Sequence, residues 1–265
     1  MPPLFETMKI FRISMILASC LIFTGCPFYT ETPPEYEFIH RDHYVEAYYD
    51  NVQEIFLKFD SISSSIAVCP RPLSDDNLVS ANQGNRDFYD SLCIKHNDIN
   101  YNEMCRKFSN MRCYPTFLCF DLLSVNVTSF SDYDLEHPAG SSLNDIVRYM
   151  SFSPKEFLDR GSDSTSDISN TSTFFGRRIG RWHLIQNANQ WSISQLDFHY
   201  TYSPVEKYIN ELKPSDMVMP SLGDPSILCV LYFAKRPAKP GKYTIIVELK
   251  ADNGQVLSGT LEVSF

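Results

Sequence analysis

The stretch Lys242 to Phe265 reads K-Y-T-I-I-V-E-L-K-A-D-N-G-Q-V-L-S-G-T-L-E-V-S-F, and it sets the fold class. Two runs that alternate apolar and polar residues, K-Y-T-I-I-V-E-L-K and Q-V-L-S-G-T-L-E-V-S-F, flank Ala251-Asp252-Asn253-Gly254. Alternation with a period of two places one face of each run in a core and the other in water. Asn-Gly between such runs signals a hairpin, since both residues tolerate the positive φ that a tight turn requires. Upstream, Ile227 to Ala234 is continuously apolar, as a strand covered on both faces would be.

Earlier in the chain, S-I-S-Q-L-D-F-H-Y-T-Y (192–202) alternates again, through Leu196, Phe198, Tyr200 and Tyr202. In F-L-C-F-D-L-L-S-V-N-V-T-S-F (117–130), Leu123, Val125 and Val127 alternate with Ser124, Asn126 and Thr128. Q-E-I-F-L-K-F-D-S-I-S-S-S-I-A-V (53–68) is strand-like and halts at Cys69-Pro70-Arg71-Pro72, while 73–102 reads as loops around one short apolar element near Phe88. Short helices are expected at three places. Ser142 to Met150 is one; Ser153-Pro154-Lys155-Glu156 opens the second, stopped by Gly161; Ser203-Pro204-Val205-Glu206 opens the third, ending before Pro214. The expected class is mainly β: an immunoglobulin-like β-sandwich with short helical insertions, filling residues 36–265.

Composition fits such a body. The chain has 265 residues, 43% of them hydrophobic, with 19 Phe, 15 Tyr and only 10 Gly, which excludes a disordered or collagen-like chain. A net charge of −9 leaves no surplus of Lys and Arg to neutralise phosphates, so nucleic acid is excluded as a partner.

The N-terminus has a different organisation. From Met8 the chain reads M-K-I-F-R-I-S-M-I-L-A-S-C-L-I-F-T-G-C: two basic residues, then an apolar run too short to span a bilayer. Met1 to Thr7 fits this pattern poorly, so translation is expected to start at Met8. Residues 1–25 are read as a lipoprotein signal peptide, with F-T-G-C placing a diacylglyceryl-modified cysteine at Cys26. The competing L-A-S-C at Cys20 leaves too short an apolar run, and Phe23 departs from the Leu usual at its position. Residues 26–35, C-P-F-Y-T-E-T-P-P-E, are a proline-rich tether. The expected partners are membrane lipid through Cys26, in the bacterial cell envelope at the outer membrane, with palmitate among the acyl chains, and a glycan or an envelope protein for the body.

The segment L-L-S-V-N-V-T-S-F-S-D-Y-D-L-E-H-P-A-G-S-S-L-N-D-I (122–146), together with G-K-Y-T-I-I-V-E-L-K-A-D-N-G-Q-V-L (241–257), resembles an uncharacterised cell-envelope lipoprotein family of Bacteroidetes. The resemblance implies an anchored envelope protein of unassigned biochemical role. It carries over no catalytic residue.

Side-chain chemistry gives few pointers. No G-x-S-x-G elbow, P-loop, dinucleotide fingerprint or H-E-x-x-H motif occurs, and no enzyme activity or cofactor is expected. Cys69, Cys93, Cys105 and Cys113 are candidates for one or two disulfides in an exported protein, whereas Cys119 and Cys229 read as buried thiols in core strands. His40 and His43 would share a helical face and offer two metal ligands, but with no third ligand apparent they read as a solvated, charged entry to the domain. His137, His183 and His199 read as isolated surface or turn histidines. Trp182, Trp191 and Tyr200, near Arg177, Arg178 and Arg181, are candidate glycan contacts, because flat aromatic faces stack on sugars; core packing is the competing reading. The function expected is a binding or structural module, the alternative a glycan-binding accessory lipoprotein of an outer-membrane uptake system.

Overall fold

The computed structural model describes residues 37–61, 63–107, 116–162, 203–220 and 227–265, with the side chains of 37–39 and 104–107 outside the description. The chain divides into two compact units, Met1–Glu37 and Phe38–Phe265, and the second carries the β body. The strands are β1 (Glu37–Arg41), β2 (Ala47–Tyr49), β3 (Glu54–Asp60), β4 (Ser65–Arg71), β5 (Leu78–Ser80), β6 (Glu103–Lys107), β7 (Thr116–Leu118), β8 (Leu122–Ser129), β9 (Val147–Ser153), β10 (Ser203–Tyr208), β11 (Cys229–Phe233), β12 (Lys242–Ala251) and β13 (Val256–Ser264). Among the described residues two α-helices, α1 (Arg86–Lys95) and α2 (Lys155–Asp159), interrupt them. The protein is therefore mainly β, as its alternating sequence dictates.

The hairpin at the end of the chain forms as its sequence requires. β12 and β13 pair antiparallel from Lys242 opposite Ser264 to Lys250 opposite Val256. Gly254 takes φ of 86°, and the turn closes through Ala251 N donating to the Gln255 carbonyl at 2.9 Å. With β8 on its other side, β12 centres a sheet of order β13-β12-β8. A five-stranded sheet, β10-β9-β11-β4-β3, supplies the second layer. Ile55, Leu57, Ile66 and Val68 from that layer and Val127, Ile245, Val247 and Leu257 from the first bury one shared core between them. This is a sandwich, and each such side chain withdrawn from water contributes about 1.5–3 kcal/mol of hydrophobic stabilisation. The immunoglobulin-like subtype is not established by this strand order.

Gly259 marks a close approach of the two layers. A Cβ there would lie 3.1 Å from the Ile55 carbonyl oxygen and 3.0 Å from Leu57 Cγ, so glycine lets β13 run close to β3 without displacing these neighbours. β11 is buried on both faces, as its unbroken apolar run implies. Leu231 and Phe233 enter the shared core, while Val230 joins Ala67, Met150 and Ile227 on the far side of the sheet.

Four local expectations are corrected by tertiary pairing. Ser203-Pro204-Val205-Glu206 is not a helix start but part of β10, paired residue for residue with β9 from Ser203 opposite Ser153 to Tyr208 opposite Arg148. β10 is the sheet edge, where proline's missing N–H costs no ladder bond. Ser142 to Met150 is likewise no helix: a turn through Leu143, whose carbonyl accepts from Ile146 N and Val147 N, leads straight into β9. β4 does not halt at Cys69 but continues through Pro70 to Arg71, paired with β3. The short apolar element expected near Phe88 within 73–102 forms, as the ten-residue helix α1. The helix expected after Ser153 does form, as α2, with Pro154 rather than Ser153 at its N-cap. In β8 the inward residue at the start is Leu122 and Leu123 is exposed, because the pairing with β12 shifts register between Lys250 and Ala251.

A second core lies beside the sandwich. The three-stranded sheet β5-β2-β7 and α1 enclose Tyr48, Val79, Tyr89, Leu92, Cys93 and Phe117. Helix α2 adds Phe157 and Leu158. No helix among the described residues is long and apolar enough to cross a membrane.

Candidate functional sites: two histidine and carboxylate clusters

Helix α1 builds the first cluster. Asn85 caps its start by accepting from Phe88 N at 3.1 Å, and Tyr89, Leu92 and Cys93 form its buried face at helical spacing. At its end Asn97 adopts φ of 60°, and the Asp98 amide reaches back to the Cys93 carbonyl at 2.8 Å. This is a Schellman-type stop, and Asn is one of the few residues suited to its left-handed position. The stop reverses the chain, setting His96 and Asp98 into the second core on either side of the turn.

His96 is 1% exposed and its ring stacks on Tyr48, with centroids 5.9 Å apart. Nε2 has no hydrogen-bond partner, and at 4.0 Å from Asp121 Oδ1 it is too distant for one. Burial holds the imidazole down to about 4, outweighing the attraction of Asp121, so it is neutral at ordinary pH. Asp121 is occupied elsewhere. Its Oδ2 meets Lys95 Nζ at 2.8 Å, its Oδ1 accepts from Met219 N at 2.9 Å, and Lys95 also reaches Asp252 Oδ2 at 2.7 Å. Met219 is buried at φ of 47°, a backbone region uncommon for a side-chain-bearing residue, and its bond to Asp121 helps to hold it there.

On the other side of the helix stop lies Asp98, fully buried. Its two carboxylate oxygens accept from Tyr44 N and Val45 N, each at 2.8 Å. Burial raises its pKa more than these two amides lower it. His43 Nδ1 lies 2.5 Å from the Asp98 carbonyl oxygen, and its ring meets Tyr89 edge-on. Burial pushes the Cys93 thiol up to about 12. The Tyr89 hydroxyl donates to the Val45 carbonyl at 2.7 Å; the Tyr48 hydroxyl is buried beside the Cys93 sulfur, with no acceptor other than that weak one.

The second cluster sits in the loop between β8 and β9. His137 is 4% exposed and lies between two carboxylates, Nδ1 at 2.7 Å from Asp134 Oδ1 and Nε2 at 3.0 Å from Asp145 Oδ1. Burial acts to lower its pKa, but the bonds to Asp134 and Asp145 outweigh it, and the net shift is upward. Lys235 Nζ closes the network at 2.9 Å from Asp134 Oδ2 and, with His137 and the amides of Glu136 and His137, holds the Asp134 carboxyl far below the usual range. Tyr133 stitches the loop to the sandwich by donating its hydroxyl to the Lys235 carbonyl.

The residues singled out in the sequence scatter. Cys26, Cys113, Trp182, Trp191 and Tyr200 lie outside the described residues, as does the side chain of Cys105. Cys69 and Cys93 are free thiols, one on β4 and one on α1, packed in separate cores, so no bridge joins them. Cys229 is a buried thiol in β11 as expected, while Cys119 is half-buried just past β7. His40 is exposed, 3.3 Å from Asp42, while His43 turns inward, so the two share no helical face. His137 is a buried, doubly paired residue rather than an isolated turn histidine. Sequence reading passed over His96, Asp98 and Asp121, whose partners lie tens of residues away in the chain. Comparisons with protein-family models, with curated proteins and with solved structures find no significant match.

Proposed function

We propose that this protein is a membrane-anchored envelope lipoprotein whose β-sandwich serves as a binding or structural module, held at the outer membrane by lipid on Cys26. The observation that carries this reading is the order Lys9, Arg12, apolar run, Phe23-Thr24-Gly25-Cys26 and proline tether at the head of the chain. A body rich in paired strands, preceded in sequence by a proline-rich stretch, suits such an anchor. In cells, labelled palmitate should enter the protein and sediment with membranes, and both label and sedimentation should vanish in Cys26→Ala. Label that persists in Cys26→Ala overturns the assignment.

The second reading, a glycan-binding accessory protein, is favoured by Trp182 and Trp191 lying close to three arginines in sequence. These are the protein's only 2 tryptophans, so its indole fluorescence reports on that segment alone. An acidic oligosaccharide should shift or quench the emission of the whole chain. An unchanged spectrum across acidic and neutral oligosaccharides sinks this reading.

A further inference from the structure

We propose that His43, Cys93 and Asp98 form a binding site for a single divalent cation of the zinc class. A ring nitrogen of His43, Sγ of Cys93 and a carboxylate oxygen of Asp98 lie within 4.8 Å of one another. Tetrahedral zinc, with its metal–ligand bonds of about 2.0–2.3 Å, sets donors about 3–4 Å apart, so modest side-chain closure completes the triangle. Imidazole, thiolate and carboxylate together are the donor set that borderline cations such as zinc prefer, rather than calcium or magnesium.

The backbone assembles this triangle before any metal arrives. The Schellman stop ties Asp98 N to the Cys93 carbonyl, two strand-flanking amides clamp the Asp98 carboxylate, and His43 is held by the Asp98 carbonyl and the edge of Tyr89. His43 is half-exposed whereas Cys93 and Asp98 are fully buried, so the histidine side gives a cation its way in.

Tyr48 supplies an independent sign. Its hydroxyl is completely buried beside the Cys93 sulfur and finds no acceptor other than that sulfur, which as a neutral thiol accepts only weakly. Binding would replace the Cys93 proton with the metal and release that proton to solvent; the thiolate left behind is a stronger acceptor for Tyr48 than the neutral thiol. The other close group, Asp134, Glu136 and His137, makes a poorer cation site, since Lys235 already places an ammonium 2.9 Å from Asp134.

The test uses the full-length chain, reduced, stripped with chelator and titrated with cobalt(II) alone. One equivalent should produce a thiolate-to-cobalt charge-transfer band and release about one proton per thiolate formed, and zinc should then erase the band. Cys93→Ser should abolish the band. His43→Gln, at a half-exposed position that leaves the core intact, should weaken binding at least about tenfold. No band at one equivalent in the wild-type chain overturns the proposal. So does a band that survives Cys93→Ser or, should that variant fail to fold, full affinity in His43→Gln.

Discussion

His96 and His137 are both almost wholly buried and both have carboxylates nearby, yet the fold shifts them in opposite directions. His137 has a carboxylate on each ring nitrogen, at 2.7 and 3.0 Å, which favours the doubly protonated ring. The carboxylate nearest His96 is 4.0 Å away and committed to Lys95 and Met219, so burial outweighs its attraction and the ring stays neutral. Burial alone therefore does not set the charge of a histidine; whether a neighbouring carboxylate is free to reach the nitrogen does.

Acid stability tests this contrast most strongly. In the unfolded chain His96 takes up its proton near pH 6.5, but in the folded protein only near about 4. Between those values the unfolded state binds more protons, so stability is lost as pH falls through that window, by about 2–3 kcal/mol between pH 7 and 4.5. Asp134 does not enter this window. A carboxyl with a depressed pKa keeps its full contribution above its unfolded value and surrenders it only at lower pH. His96→Phe keeps the stacking on Tyr48 and removes the unpartnered nitrogen. Urea midpoints should show that the variant loses about 2–3 kcal/mol less than the wild type over the same interval; equal losses would overturn the account of His96.

Asp121→Ala comes next, at about 2 kcal/mol, because it strands the buried Met219 amide and leaves Lys95 with Asp252 alone. The same change should lower the His96 pKa further by NMR titration, since Asp121 acts to raise it. His137→Phe should cost about 1–2 kcal/mol at pH 6, the worth of a charge-assisted pair partly open to solvent. Its pH dependence runs opposite to that of His96. A histidine with a raised pKa contributes its full share below its unfolded value of 6.5 and loses it as pH rises through the folded value, so the deficit of His137→Phe should shrink toward alkaline pH. A deficit that grows instead would mean that the network holds a neutral ring.

The sandwich and the two clusters were unequally legible in the chain. The terminal hairpin and β11 could be read because their signals are local: alternation around Asn-Gly, and one unbroken apolar run. β10 misled because Ser-Pro-x-Glu is sound helix grammar, overridden by six pairings with β9 that no window on 203–206 contains. α1 was legible as a short apolar element near Phe88, but its helical type was obscured by surrounding Asp, Asn and Ser, although Tyr89, Leu92 and Cys93 carry helical spacing and Asn85 stands in capping position. For the sites the same rule holds. Asp134 and His137 are three apart and could have been paired from sequence, as could Asp145 eight further on. His96 meets Asp121 only when the helix stop packs against the β7–β8 connection, and His43 meets Cys93 and Asp98 only when it packs against the β1–β2 connection.

The subtlest change is the most discriminating. Asp145 is the exposed member of the second cluster, its carboxylate 54% accessible, so solvent screens its attraction to His137. Asp145→Asn should therefore change the urea midpoint by less than about 0.5 kcal/mol. It should nevertheless lower the His137 pKa measurably by NMR, because one of the two bonds that outweigh burial is gone while Asp134 keeps the other. His96, whose shift owes nothing to Asp145, should titrate unchanged in the same spectra. If His137 holds its pKa in the variant, the pair with Asp134 and Lys235 alone fixes its charge. The two-carboxylate explanation of the contrast with His96 then fails.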